Sequence, residues 1–118
     1  MGIMEKMRLD GKRSFVTSGA RGIGKAIATA LAEAGSDVAL LDVDIATARQ
    51  TAAEIAQATG RVIRAYEVDV TQEAQVDAVV QQLIEDLGGL DCAFCNAGIC
   101  LNVPAAEMTL AQWRKVID

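Results

Sequence analysis

The sequence contains no histidine and only one proline, and its lysines and arginines form no cluster. Acidic residues outnumber basic ones by 16 to 11, which gives a net charge of -5. A chain without a basic patch offers no electrostatic surface to nucleic acid or to an anionic membrane, so we expect neither partner. With one proline and 52% apolar residues among 118, the composition favours one globular α/β domain over a disordered chain.

The N-terminus also lacks the features of a targeted protein. It has no apolar signal core, and Lys6 stands where N-myristoylation would need serine or threonine. We therefore expect a soluble, cytoplasmic protein.

The three cysteines do not predict a metal site. Cys92 and Cys95 have the C-x-x-C spacing of zinc and redox motifs, but the surrounding L-D-C-A-F-C is typical of a strand. Residues three apart in a strand point to opposite faces, so these two thiols cannot converge on one ion. Beyond Cys100 there is no fourth thiol, and we predict reduced, apolar packing residues.

The most informative stretch is 14–24, S-F-V-T-S-G-A-R-G-I-G, in which a short apolar strand runs into glycines that precede a helical pattern. The first turn of a helix offers unpaired N–H groups and a positive dipole end to a pyrophosphate. Gly19, Gly22 and Gly24 would allow the phosphates and the neighbouring strand to approach, and glycine tolerates the positive φ of such turns. The alternative is an ordinary loop between a strand and a helix.

An acidic residue follows at an informative distance. The next apolar run, D-V-A-L-L-D, ends at Asp42, eighteen positions after Gly24, close to the spacing of a ribose-binding acid. A carboxylate there accepts hydrogen bonds from the adenosine ribose hydroxyls and repels a 2′-phosphate, which favours NAD over NADP. The alternative is that Asp42 simply ends a strand.

Strands and helices are predicted to alternate along the whole chain. This pattern indicates parallel strands joined by right-handed crossovers, and so a doubly wound α/β sheet (a Rossmann fold) in the order three-two-one-four. The ligand crevice should lie at the carboxyl ends of strands one and four. We predict strands at 13–17, 37–41, 62–68 and 90–95, and helices at 22–34, 45–59, 72–87 and from Met108 onwards.

Two motifs together are more specific than the glycines alone. Residues 17–24 read T-S-G-A-R-G-I-G, residues 95–98 read C-N-A-G, and D-V-T stands at 69–71. The chain thereby resembles the classical short-chain dehydrogenases/reductases, whose glycine motif is T-G-x-x-x-G-x-G and whose fourth strand ends in N-N-A-G. Ser18 replaces the first glycine, which should be tolerated if its φ stays negative. Cys95 replaces the first asparagine and leaves Asn96 to tie strand four to its neighbours and to line the pocket.

The resemblance implies a site for NAD, with NADP less favoured. Arg21 could instead be a solvated cation or pair with a 2′-phosphate, Asp69 could cap the following helix with Thr71, and Asn96 could be purely structural. The implied positions are Ser18, Gly19, Arg21, Ile23 and Gly24 around the pyrophosphate and adenosine ribose, Asp42 at the ribose hydroxyls, Asp69 and Val70 at the adenine, and Asn96, Ala97 and Gly98 beside the nicotinamide ribose.

The catalytic residues of that family are not found in this chain. The family uses a serine with a Y-x-x-x-K pair, whereas the one tyrosine, Tyr66, is followed four residues later by Val70. We therefore name no catalytic residue. Strand four would also expose an open edge, which parallel sheets normally bury. We expect residues 1–118 to be the N-terminal, NAD(P)-binding portion of a longer single domain, inactive by itself.

The resemblance implies an oxidoreductase that transfers hydride between a nicotinamide and a small secondary alcohol or ketone. A sugar alcohol or ketose is the first expectation for the substrate, and a 3-oxoacyl thioester is the second. A non-catalytic module that binds NAD and senses its redox state is the alternative class. The resemblance further implies a homo-oligomer, a dimer or a tetramer.

Overall fold

The computed structural model describes residues 2–99 and 101–117, in which strands and helices alternate as predicted. The elements are α1 (Ile3–Lys6), β1 (Arg13–Thr17), α2 (Gly22–Glu33), β2 (Asp37–Asp42), α3 (Ile45–Thr59), β3 (Ile63–Glu67), α4 (Glu73–Leu87), β4 (Cys92–Phe94), a 3₁₀ turn (Ala105–Glu107) and α5 (Leu110–Ile117).

The four strands form one parallel sheet in the order β3-β2-β1-β4, so the predicted doubly wound topology is confirmed. In the middle of the sheet, Val16 of β1 lies opposite Leu40 of β2 and Phe94 of β4. Because the strands are parallel, the carboxyl ends of β1, β2 and β4 meet at one edge. That edge is where the predicted crevice should lie.

The two faces of the sheet bury different side chains. Helices α2 and α3 cover one face, which we call the α2/α3 face, and α4 covers the other, the α4 face. The core of the α2/α3 face consists of Val16, Ala28, Leu31, Ala32, Val38, Leu40, Ala52 and Ile55. The core of the α4 face consists of Ala39, Leu41, Val68 and Leu83, with half-buried neighbours such as Phe15 and Val76.

Side-chain and glycine signals set several helix ends. The Asp44 carboxylate accepts a hydrogen bond from the Thr47 N–H at 3.1 Å and so caps the start of α3. Gly60 ends α3 with φ of 71°, and Gly88 ends α4 with φ of 83°. In both cases the left-handed conformation closes the last turn, for which glycine has no Cβ penalty.

Strand boundaries differ from the predicted ones by one or two residues. β4 is shorter than 90–95 and covers Cys92–Phe94. At its start, the Asp91 N–H donates to the Arg13 carbonyl at 2.8 Å, but the Arg13 N–H donates to the Asp91 carboxylate at 2.9 Å and not to a backbone carbonyl. β3 covers 63–67 instead of 62–68, and β2 continues one residue further, to Asp42. Within the described ranges, we find no helix with the length and apolar character needed to cross a bilayer.

Candidate functional site

Two adjoining clefts at the carboxyl edge of the sheet form one crevice. The first, of about 460 Å³, and the second, of about 360 Å³, share Ser18 and Gly98. Nine of the twelve predicted site residues line this crevice, and the other three are the glycines of the turn. The lining predicted residues are Ser18, Arg21, Ile23, Asp42, Asp69, Val70, Asn96, Ala97 and Gly98.

The glycine turn leaves the start of α2 open to a ligand. Arg21 precedes the helix, and no side chain caps its first N–H groups. Gly22 has a φ of 60°, and a Cβ there would meet open space. A Cβ at Gly24 would overlap the Ser18 carbonyl oxygen and would lie 3.0 Å from the Asn96 Nδ2 atom. Gly24 therefore lets α2 approach the turn, and an uncapped helix start suits an anion.

Ser18 does not meet the condition of a negative φ under which we expected a serine to be tolerated. Its φ is 54°, and within the described residues it is the one non-glycine with a positive value. The chain must reverse from β1 into the turn at this position, and the left-handed conformation makes that reversal. A side chain there costs roughly 1–2 kcal/mol, which a glycine would avoid.

Asp42 is fixed at the end of β2 by two backbone hydrogen bonds. One carboxylate oxygen accepts the Ala20 N–H at 3.1 Å and the other accepts the Asp44 N–H at 3.0 Å. The buried Thr51 hydroxyl of α3 donates to the Ala20 carbonyl at 2.6 Å. The turn is thus held from both sides. A carboxylate has about four acceptor positions, so Asp42 keeps acceptor capacity towards the crevice.

Arg21 forms an ion pair with Asp44, and both residues line the first cleft. Asp44 also accepts hydrogen bonds from the Thr47 hydroxyl at 2.7 Å and from the Thr47 N–H. These two bonds, with a smaller contribution from the Arg21 guanidinium, hold the pKa of Asp44 below its usual range. Like an ordinary aspartate, Asp44 is therefore ionised at neutral pH, and the lowered pKa keeps it ionised further into acid. The Arg21 side chain is 69% exposed, which agrees with the solvated-cation alternative, and it also has this acidic partner.

Thr17 connects the end of β1 to the loop after β4. Its hydroxyl accepts the Ala97 N–H at 2.8 Å and donates to the Phe94 carbonyl at 3.4 Å. The Asn96 amide donates to the Thr17 carbonyl at 3.3 Å, so Asn96 ties strand four to its neighbour while it lines the crevice. The structural and site-lining positions of Asn96 are compatible.

Asp69 lies in a tight turn before α4 but does not cap that helix. Its carboxylate accepts the Thr71 N–H at 2.9 Å and the Thr71 hydroxyl at 2.7 Å, and both bonds hold its pKa below the usual range. The residue that precedes α4 is Gln72, whose side chain makes no capping bond. The alternative that Asp69 caps α4 is therefore wrong, because the bonds of its carboxylate to Thr71 lie within the turn that precedes the helix.

The tyrosine and the described cysteines lie outside the residues that line the crevice, whereas Lys115 of α5 lines the second cleft. The Tyr66 hydroxyl donates to the Asp86 carboxylate at 2.6 Å, and partial burial, together with that carboxylate, raises the pKa of Tyr66 well above its ordinary value. A general acid needs the opposite shift. Cys92 and Cys95 are free thiols, Cys100 lies outside the described residues, and within 2–99 and 101–117 no three His, Cys, Asp or Glu side chains are placed to hold a metal ion.

Sequence reasoning missed three residues that build the crevice. Thr17 and Thr51 act through hydrogen bonds to residues far away in sequence, and no local pattern reveals such bonds. Asp44 could have been found, because an aspartate followed three residues later by threonine before an alanine-rich run is a helix-start signal. Its pairing with Arg21 depends on tertiary structure.

The parallel sheet in the order β3-β2-β1-β4, with a turn rich in glycine after the first strand and an acid at the end of the second, defines a Rossmann-type fold. Residues 12–118 match the family model described as short chain dehydrogenase. The chain belongs to the short-chain dehydrogenase family.

Curated relatives are similar over nearly the whole of this chain. The chain is 40% identical to galactitol 2-dehydrogenase of Agrobacterium fabrum over 112 residues, which are 95% of this chain and 42% of that protein. It is 41% identical to sorbitol dehydrogenase of Cereibacter sphaeroides over 110 residues, 93% of this chain and 41% of that protein. The chain thus spans less than half the length of these relatives.

Solved structures show the same fold. A short-chain type dehydrogenase/reductase from Mycobacterium marinum matches with a TM-score of 0.92 and 36% identity, over 98% of this chain and 47% of that chain. The NADPH-dependent 3-quinuclidinone reductase from Rhodotorula rubra matches with a TM-score of 0.83 and 31% identity, over 98% of this chain and 44% of that chain.

Proposed function

We propose that the crevice binds NAD and that the full-length protein is an oxidoreductase acting on a secondary alcohol or the corresponding ketone. One observation carries the proposal: the uncapped start of α2 and the Asp42 carboxylate face the same crevice. The first suits a pyrophosphate and the second suits a ribose diol, which are the two groups that a dinucleotide presents side by side. Residues 1–118 would then be the N-terminal, cofactor-binding portion of a longer single domain.

Most of the predicted site residues have a proposed contact. Gly19, Gly22 and Gly24 keep side chains away from the pyrophosphate, beside Ser18 and Ile23. Asp69 and Val70, in the second cleft, would bind the adenine. Asn96, Ala97 and Gly98 would bind the ribose on the nicotinamide side. A cofactor of this class supplies hydride transfer when bound. The chain's own contribution is to bind and orient it, and no residue of this chain is proposed to move the proton.

The proposed preference for NAD rests on Asp42. The fold alone does not choose, because a structurally similar reductase is named as NADPH-dependent. Two backbone bonds fix the Asp42 carboxylate at the end of β2, in the first cleft. A fixed negative charge at the adenosine ribose accepts two hydroxyls and repels a 2′-phosphate. NADP is therefore the less favoured cofactor.

The proposed substrate is a sugar alcohol or the corresponding ketose. Support comes from relatives named galactitol 2-dehydrogenase and sorbitol dehydrogenase, each about 40% identical to this chain. We further propose a cytoplasmic homo-oligomer, a dimer or a tetramer, by similarity to the family. A 3-oxoacyl thioester is the second substrate candidate. A non-catalytic NAD-sensing module remains the alternative class, which a turnover assay with NAD and a panel of polyols would separate from the enzyme.

The test of the cofactor proposal is Asp42→Ala in the full-length protein, with NADH and NADPH titrated by calorimetry. Loss of two hydrogen bonds to a charged group should weaken NADH binding about tenfold or more. Because the loss of the bonds from the Ala20 and Asp44 N–H groups affects both cofactors alike, the readout is the NADPH-to-NADH affinity ratio, which should rise. Asp77→Ala, which removes an exposed acid of α4 outside the crevice, should change neither affinity. If Asp42→Ala keeps the wild-type affinities for both cofactors, Asp42 only ends a strand and the proposed ribose contact is wrong.

A further inference from the structure

Arg21 is a cation at the mouth of the proposed adenosine site, where a guanidinium could pair with the 2′-phosphate of NADP. We propose that Asp44 prevents this pairing: it holds the Arg21 guanidinium as an ion pair and so acts as a second determinant of the NAD preference, separate from Asp42. The inference rests on the proposed function of the crevice and assigns a positioning role to a residue outside the glycine motif.

The Asp44 side chain is held in place by more contacts than the Arg21 side chain. The Asp44 side chain accepts two hydrogen bonds from Thr47, at 2.7 and 3.1 Å, because it also caps α3. The Arg21 side chain is 69% exposed, and the ion pair with Asp44 is its one contact of this kind within the described residues. The fixed partner is thus the acid, and the flexible one is the arginine.

The charges that line the first cleft explain why this ion pair would affect the binding of a 2′-phosphate. Its charged lining residues are Arg21, Asp42 and Asp44. With Arg21 neutralised by Asp44, the Asp42 charge is uncompensated, and a doubly negative 2′-phosphate would meet a net negative site. Removal of the Asp44 charge alone would release a cation next to Asp42 and make the cleft neutral.

The experiment is Asp44→Asn in the full-length protein, with NADH and NADPH affinities measured by calorimetry. Asparagine keeps the cap of α3, so the change removes charge without removing the helix start. Because exposed ion pairs are weak, we expect the NADPH-to-NADH affinity ratio to rise by only about two- to fivefold.

A matched control removes the charge from a similar pair elsewhere. Lys25 of α2 and Glu54 of α3 form an exposed ion pair at 2.9 Å, and neither residue lines the crevice. Glu54→Gln changes the net charge by the same amount and should leave the ratio unchanged. In the double variant Arg21→Gln/Asp44→Asn, the gain in NADPH affinity should be lost, because Arg21 is its proposed source.

Three outcomes would overturn the inference. The first is an Asp44→Asn protein that binds NADH normally with an unchanged ratio. The second is a gain that persists in the double variant or appears equally in Glu54→Gln. The third concerns Arg21→Gln in the wild-type background: a loss of NADPH affinity much larger than the loss of NADH affinity would mean that Arg21 is already available to the 2′-phosphate. None of these outcomes affects the proposed function, whereas a wild-type protein that binds neither NADH nor NADPH would refute both.

Discussion

The two faces of the sheet differ in how completely they are packed. On the α2/α3 face, Val16, Val38 and Leu40 are fully buried against two helices. On the α4 face, Phe15 and Val76 are only half-buried, and an apolar cleft of about 250 Å³ lies beside Leu41. The proposed phosphate site rests on the better-packed face, because α2 carries the glycine turn. The position of the turn is therefore secured by core packing, and Thr51 of α3 adds a buried hydrogen bond to it.

The largest expected effect comes from truncating matched leucines on opposite faces of β2. Leu40→Ala should lower the free energy of unfolding of the 118-residue chain by about 4 kcal/mol, since a full set of neighbours surrounds the lost side chain. Leu41→Ala should lower it by about 2 kcal/mol, because Leu41 already borders the cleft. Urea unfolding measures both values. Equal losses would show that the faces are energetically alike.

A smaller but more specific effect is expected where α2 approaches the turn. Gly24→Ala should cost about 2–3 kcal/mol of stability and abolish nucleotide binding, because the new Cβ overlaps the Ser18 carbonyl and forces the helix away. Gly22→Ala is the control for stability: its new Cβ meets no protein atoms, and its φ of 60° should cost about 1 kcal/mol. Thermal unfolding measures both costs, and NADH titration measures the loss of binding in Gly24→Ala. A Gly24→Ala protein that is as stable as Gly22→Ala would contradict the packing argument.

The smallest expected effect is a gain of stability at Ser18. Ser18→Gly removes the cost of the left-handed φ of 54°, partly offset by the entropy of the extra glycine, and should stabilise the protein by about 0.5 kcal/mol. The reciprocal change Gly22→Ser should destabilise it, since it creates a second left-handed serine. Both changes are measured as shifts in the urea midpoint. A destabilised Ser18→Gly protein would mean that the serine side chain contributes more than its backbone strain costs.

The elements and their order could be predicted because local signals agree with the tertiary structure. The helix over Ile45–Thr59 has the predicted ends, since Gly60 closes one end and an acid precedes the other. The strand order follows from the handedness of parallel crossovers and needs no further information. The same reasoning brought Asp42 and the loop at Asn96 to one edge of the sheet, where the structure has them.

The parts that could not be predicted depend on contacts between distant segments. The positive φ of Ser18 belongs to the turn that connects β1 to α2. A serine rarely adopts this conformation, so the residue type alone does not predict it. The bond from Thr51 to Ala20 crosses 31 residues, and the pair of Arg21 with Asp44 crosses 23. A sequence pattern can suggest that Asp44 starts a helix, but it cannot show that a cation from another loop lies against it.

The Thr17 contacts have a consequence for how the protein folds. The hydrogen bonds of Thr17 with Asn96 and Ala97 join positions 79 and 80 residues apart, whereas β1 and β2 pair through a single crossover. Closing so large a loop is slow compared with local pairing, so the side of the crevice formed after β4 should assemble last. During synthesis, the glycine turn would emerge and pack well before its opposite wall exists. A nucleotide that contacts both sides of the crevice would therefore stabilise the fold only at the last step, after the contacts of longest sequence separation have formed.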